Sequence, residues 1–260
     1  MPTLKERLRS GEPTVGSWLN LASSAIAEIM ADAGFDWLVV DLEHSTTGLK
    51  RAEDIIRTVE LKGCVPLVRV ASNDATQIKH VMDAGARGVI VPMVNTPDDA
   101  KRAVEAVRYP PLGKRGVGLA RAHRYGPGFD DYAARINDDA IVIAQIEHVD
   151  AIGNVDRILA VDGIDGSMIG PYDLSGSLGV PGQLDDPAVV KEVDRYLAAC
   201  RKAGKPAGFH VVDPDYRLIL ERIAQGYSFL AFGTDFLFLG NSCREQMRML
   251  SDARSEGTAR

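Results

Sequence analysis

Cysteine is scarce and scattered. Cys64, Cys200 and Cys243 are the only three in 260 residues, an odd number without a CxxC pair, which argues against a disulfide framework or a zinc cluster and suits a reducing cytoplasm. No apolar run approaches the roughly 18 residues that a membrane span needs. The opening MPTLKERLRSGEP is a charged amphipathic turn rather than an export signal, so neither insertion nor export is expected. A basic surplus is missing too: 30 Lys and Arg against 36 Asp and Glu give a net charge of −6, which offers no field for nucleic acid or anionic lipid. There is no GxGxxG after a strand, no Walker A loop and no GxSxG elbow, so nicotinamide, nucleotide and serine-hydrolase chemistries lack motif support.

What is present is an alternation of short apolar runs with helical patterns. Trp37-Leu-Val-Val has the length and branching of a buried parallel strand, and it ends abruptly in Asp41, Glu43 and His44. Similar strands are expected over 14–19, 65–70, 89–91, 140–146, 163–169, 207–211 and 228–232, with helices between them and a short helix over 4–9 closing one end. Eight strands with single-helix connections in one domain, 1–260, predict a closed (β/α)8 TIM barrel; a doubly wound open sheet is the runner-up. The stretch 109–129, rich in Gly, Pro and Arg, reads as a lid or an oligomer contact. A second Gly/Pro loop is expected over 171–186, and a frayed tail over 251–260.

In such a barrel the reactive groups gather at the carboxyl ends of the strands. Asp41, Glu43, His44, Arg69, Gln145, Glu147 and Asp173 should therefore share one rim. Glu147 and Asp173, with no Cys or His cluster beside them, suit a hard cation that keeps open positions, Mg2+ or Mn2+ before zinc. Arg69 closes an apolar strand and needs an anion, supplied either by a protein carboxylate in an internal ion pair or by a substrate. His44 reads as a general base or as a rim histidine that only ties down its loop. Trp18 is a pocket wall or core packing. His123 and His210 are candidates to line a pocket, whereas His80 and His148 read as ordinary surface residues. No expected strand carries a lysine, which removes Schiff-base aldol chemistry.

The ordered set FDWLVVDLEH, PLVRV, MDAGARGVIVPMV, YPPLGKRGVG, ARAHRYG, QIE and IGPYDLS resembles the HpcH/HpaI aldolase family, class II pyruvate aldolases related to the citrate lyase β-subunit, along essentially the whole chain. The resemblance implies a metal-dependent barrel, with Mg2+, Mn2+ or Co2+, that makes or breaks a bond between pyruvate and an aldehyde. It further implies a hexamer, a trimer of dimers, whose last helix packs on a neighbour. It implies Glu147 and Asp173 as metal ligands, Arg69 as the group that stabilises the enolate, His44 as the base, and Gln145 with the Tyr172 backbone as holders of the pyruvate moiety. Asp83 matches the position that makes the histidine more basic. It closes the helix before strand four, at the far end of its own barrel, so it can act only across a subunit boundary.

In the implied cleavage, His44, oriented by Asp41 or Asp83, takes the proton of the 4-hydroxyl through a water. The Ser45-Thr-Thr-Gly48 continuation departs from the Gly/Ala-Pro type common in the family and leaves the aldehyde open, sugar-derived or diacid-derived. A CoA-thioester lyase, an oxaloacetate-type decarboxylase and a non-catalytic 2-oxoacid-binding barrel are the alternatives.

Overall fold

The computed structural model describes residues 2–258. Eight parallel strands close on themselves in sequence order: β1 (Thr14–Leu19), β2 (Trp37–Asp41), β3 (Val65–Arg69), β4 (Gly88–Val91), β5 (Ile141–Ile146), β6 (Gly166–Ile169), β7 (Ala207–Val211) and β8 (Phe229–Thr234), with β8 pairing back to β1. The outer layer comprises α2 (Ser24–Asp32), α3 (Leu49–Leu61), α4 (Ala75–Asp83), α5 (Pro97–Val107), α6 (Phe129–Asp139), α7 (Val149–Leu159), α8 (Pro171–Ser177), α9 (Pro187–Ala203), α10 (Tyr216–Gln225) and α11 (Asp235–Thr258); α1 (Leu4–Ser10) lies under the barrel. The expected TIM barrel is the observed fold, and the open sheet is excluded by the β1–β8 pairing.

Side chains along each strand alternate between the barrel interior and the helix layer. Trp37, Val39, Leu67, Ile90, Ile141, Ile143, Met168 and Phe229 fill the interior with Leu4 and Leu8 of α1, and Leu38, Val40, Val68, Val89 and Val142 meet the helices. Each fully buried Val, Leu or Ile contributes about 1.5–3 kcal/mol. Trp37 stacks on Phe229 at 4.2 Å, and Gly16 beside it is obligatory, since a Cβ there would lie 2.0 Å from the Trp37 ring.

The amino-terminal end is closed by α1. Lys5, almost fully buried, pairs with Asp165 at 3.1 Å and also donates to the Ala140 carbonyl. Breaking a buried pair strands the surviving charge, so Lys5→Met should lower the unfolding free energy by about 3 kcal/mol in urea titrations; an unchanged midpoint would show that the pair carries no net stability.

Several expectations change. The 171–186 segment contains α8, opened by Pro171 at its first turn, because proline there forgoes an N–H that the helix cannot use. Helix α6 fills the gap before β5. The carboxyl-terminal stretch is helical through Thr258, and the last two residues lie outside the described ones. The 109–129 stretch is not a lid over this barrel's own rim: it joins α5 to α6 and packs along the outer face of α3 and α4, where Arg121 donates to Glu60 and to the Ala84 carbonyl. Arg115, buried within it, donates to Asp83 of α4 and Tyr132 of α6, and stacks against Tyr109. His123, expected in a pocket, is fully buried instead, with Nε2 3.1 Å from the Tyr109 hydroxyl and Nδ1 accepting from the Ala120 N–H.

Candidate active site

The inward alternation that fills the barrel delivers a last layer of a different chemistry. Two residues beyond Val39 comes Asp41, beyond Leu67 comes Arg69, beyond Ile143 come Gln145 and then Glu147. Asp41 and Arg69 are direct register partners across β2 and β3, so their side chains meet. Arg69 Nε donates to Asp41 Oδ1 at 2.9 Å and Nη2 to Oδ2 at 2.6 Å. Glu43 Oε2 lies 3.3 Å from Nε, and the Trp18 ring lies 4.2 Å beneath the guanidinium. The internal ion pair is therefore real, and Nη1 is left without a hydrogen bond among the described residues.

Asp41 is fully buried. Burial pushes its carboxyl up, but the hydrogen bonds and charge of Arg69, with the backbone N–H groups of Glu43 and His44, outweigh burial and hold it below the ordinary range. Asn20 Nδ2 completes its shell at 2.7 Å. Asp41 is thus spent on Arg69 and meets only the backbone of His44, not its ring. The His44 ring stands in the open, 64% exposed, with Nε2 3.7 Å from Glu43 Oε2.

Glu147 sits just past β5. Oε1 accepts the Met93 N–H at 2.6 Å and Oε2 accepts Gln145 Nε2 at 2.5 Å. Burial raises its carboxyl above the usual range, those two donors offset it in part, and the Asp173 charge adds to the rise. Gly170 leaves room for it, because a Cβ there would lie 2.9 Å from Glu147 Cβ. Asp173 stands in the first turn of α8, exposed and without a hydrogen bond among the described residues. Glu43 is pushed up to about 7, first by burial and then by Glu147, Asp41 and Asp173 against the opposing pull of Arg69.

Four carboxylates thus crowd one guanidinium. Among the described residues the Gln145 Oε1 and Glu43 Oε2 atoms are buried without a hydrogen-bond partner, and no three His, Cys, Asp or Glu side chains are arranged to hold a metal ion by themselves. An oxygen donor set, surplus negative charge and an orphaned amide oxygen fit a hard divalent cation held by two protein carboxylates, its other positions left to water or substrate.

A cavity of about 360 Å³ opens over this layer, bounded by His44, Arg69, Gln145, Tyr172 and Asp173 on one side and by Leu184, Val212, Leu218 and Arg222 on the other, with Trp18 and His210 also in its wall. Asp83 is absent from it. As the last residue of α4, Asp83 faces the helix layer and pairs with Arg115 at 2.6 Å. His80 borders a separate groove on that layer, and His148 caps α7 by accepting the Asp150 N–H. Two contributors were missed. Asp235, after β8, accepts the N–H groups of Asn20 and Leu21, and its place at a strand end is the same signal that marks Asp41. The Met93 N–H, presented from a left-handed backbone at φ 51°, has no signature in a side-chain pattern.

Fold and site together define a TIM-barrel protein with an acidic rim built around one guanidinium. The chain belongs to the HpcH/HpaI aldolase/citrate lyase family, whose model matches residues 14–241. It is 39% identical over 253 residues to a 2-keto-3-deoxy-L-rhamnonate aldolase from Escherichia coli O17:K52:H18, covering 96% of this chain and 94% of the relative. Among solved structures, it is similar to an HpcH/HpaI aldolase/citrate lyase family protein from Burkholderia cenocepacia J2315, with a TM-score of 0.91, 34% identity, and coverage of 96% of this chain and 100% of the other. An HpcH/HpaI aldolase from Desulfitobacterium hafniense DCB-2 has a TM-score of 0.88 at 30% identity, covering 96% of this chain and 97% of the other.

Proposed function

We propose that the protein is a class II pyruvate aldolase that cleaves or forms a 4-hydroxy-2-oxoacid, with a divalent cation held by Glu147 and Asp173. The observation that carries this reading is the imbalance of charge: Asp41, Glu43, Glu147 and Asp173 surround Arg69 alone. That imbalance is costly in an apo barrel and is relieved when a cation binds. Family membership supplies the reaction class. The non-catalytic alternative leaves Arg69 Nη1 and the Gln145 amide without a purpose, and a sugar-derived substrate accords with the name of the Escherichia coli relative.

The cation, when bound, acts as a Lewis acid towards the 2-oxoacid oxygens. Gln145 and the backbone at Tyr172 orient the three-carbon half. As the bond between carbons 3 and 4 breaks, its electron pair moves towards the C2 carbonyl, and the free Nη1 edge of Arg69 meets the negative charge that develops there. His44 removes the 4-hydroxyl proton, directly or through a water; its exposed ring and the nearby Glu43 suit that task, a step typically worth about 10²- to 10⁴-fold. The aldehyde leaves and carbon 3 is protonated to give pyruvate. Asp83 supports a histidine only in a second copy, within a hexameric assembly in which α11 packs on a neighbour. The exposed Phe236, Leu239, Met247 and Leu250 of α11 support that packing.

The test is a pyruvate-release screen over 4-hydroxy-2-oxoacids of varied length, beginning with 2-keto-3-deoxy-L-rhamnonate. Release should vanish with EDTA and return with Mg2+, Mn2+ or Co2+. Release that survives exhaustive chelation, or none from any 4-hydroxy-2-oxoacid, refutes the reading.

A further inference from the structure

His210 is a polar residue at the end of β7 with no place in the chemistry above. Its strand partner across β8 is Ala231, and it follows the inward alternation through Gly208, so its ring enters the barrel mouth and lines the 360 Å³ cavity. Trp18 separates it from Arg69: the Trp18 and His210 rings lie 5.7 Å apart, and Arg69 packs against Trp18 at 4.2 Å. His210 therefore stands one aromatic ring away from the guanidinium, on the side of the cavity walled by Val211, Val212 and Leu218.

The protonation pattern of the ring follows from its partner. Nε2 lies 3.1 Å from the Gly233 carbonyl oxygen, which can only accept, so Nε2 carries the proton. A neutral imidazole then has a bare acceptor at Nδ1, and no hydrogen bond to Nδ1 occurs among the described residues. Neutrality is secured by burial first, then by the nearby Arg69 charge; against the pull of the Gly233 bond they bring the ring down to about 4. The ring thus brings one free acceptor to a stretch of wall formed by Val211, Val212 and Leu218, with the charged Asp213 and Arg222 beyond them.

We infer that His210 is a specificity residue for the aldehyde half of the substrate: its Nδ1 accepts a hydrogen bond from a hydroxyl on that half. The inference rests on the aldolase reading and names its substrate class, hydroxylated aldehydes in preference to their deoxy analogues. Sites that hydrogen-bond a hydroxyl discriminate far more strongly against its absence than apolar pockets discriminate against its presence.

The experiment uses the metal-loaded full chain and pyruvate with two matched pairs, glycolaldehyde against acetaldehyde and 2-hydroxypropanal against propanal. For each pair the ratio of kcat/KM, hydroxylated over deoxy, is measured in wild type, His210→Leu and His210→Asn. The ratio should fall about tenfold to hundredfold in His210→Leu, the range expected when a hydroxyl is left buried without its partner. The loss should come from the hydroxylated aldehydes while the deoxy ones keep their rates. His210→Asn, which retains an acceptor at the δ position but cannot reach Gly233, should recover part of the ratio. A purely structural role lowers both members of a pair equally, and that result in a folded His210→Leu overturns the inference. Nitrogen-15 spectra of the imidazole give a readout independent of turnover, and a proton on Nδ1 at neutral pH also overturns it. Wild type inactive with all four aldehydes would instead refute the aldolase reading itself.

Discussion

Glu147→Gln should make the metal-free protein more stable while abolishing its response to divalent cations. The native carboxylate is buried, and burial together with the Asp173 charge raises its pKa. A carboxyl held above its unfolded value binds protons more tightly in the folded state, so its contribution to stability is present at low pH and is lost as pH rises through the folded value. That cost grows as the carboxyl ionises with rising pH, and the amide removes it. The hydrogen bonds survive the change: the oxygen of the introduced amide can keep the Met93 N–H, and a turned Gln145 amide can offer its orphaned oxygen to the new donor.

We expect a gain of about 1–2 kcal/mol in the presence of EDTA, and a midpoint that no longer rises with Mn2+. Turnover should fall at least about 10³-fold, as when several kcal/mol of charge stabilisation is withdrawn. A variant that still gains stability from Mn2+ would remove Glu147 from the proposed ligand set. Glu43, pushed up to about 7, obeys the same sign. Metal-free wild type should therefore lose stability as pH climbs from the ordinary carboxylate range towards 7, and saturating Mn2+ should flatten that decline.

Arg69→Lys is expected to lower kcat/KM about 10²- to 10³-fold, the usual cost of removing an electrostatic donor from a developing negative charge. Lysine keeps the charge that Asp41 requires but has no fork, so it cannot hold both Asp41 oxygens and still present a free N–H to substrate. Alanine is a poorer probe. It strands Asp41, fully buried, without its counter-ion, at about 3–5 kcal/mol, so an inactive Arg69→Ala would report misfolding as readily as lost chemistry. The fold is not expected to stay intact in that variant. Thermal unfolding of the lysine variant in parallel with its kinetics separates the two effects; near-normal kcat/KM in a folded Arg69→Lys would dismiss the enolate role.

Much of this site is legible in the order of residues alone. A polar residue that ends an apolar strand has only the barrel mouth to occupy, which is why Asp41, Arg69, Gln145 and Glu147 can be picked out from their position. Strands β2 and β7 and helix α9 announce their own limits through branched residues, Gly and Pro. What stays hidden is pairing. That Asp41 belongs to Arg69 rather than to His44 depends on the offset between two strands, and that Glu147 leans on the Met93 N–H depends on one left-handed residue. His123 illustrates the converse. Its loop looks like an active-site cover, yet the loop joins α5 to α6 and packs on the outer helix layer, where the imidazole becomes a tie between Tyr109 and Ala120.

The pairing of Asp41 with Arg69 across β2 and β3 also bears on how the barrel assembles. A slip of one residue along either strand would turn a charged side chain away from its mate and press it into the oily shell beneath the helices, a far costlier place than the mouth. Nascent chains that zip up out of step are thereby rejected, and the machinery for splitting carbon bonds serves as a proofreader of strand alignment.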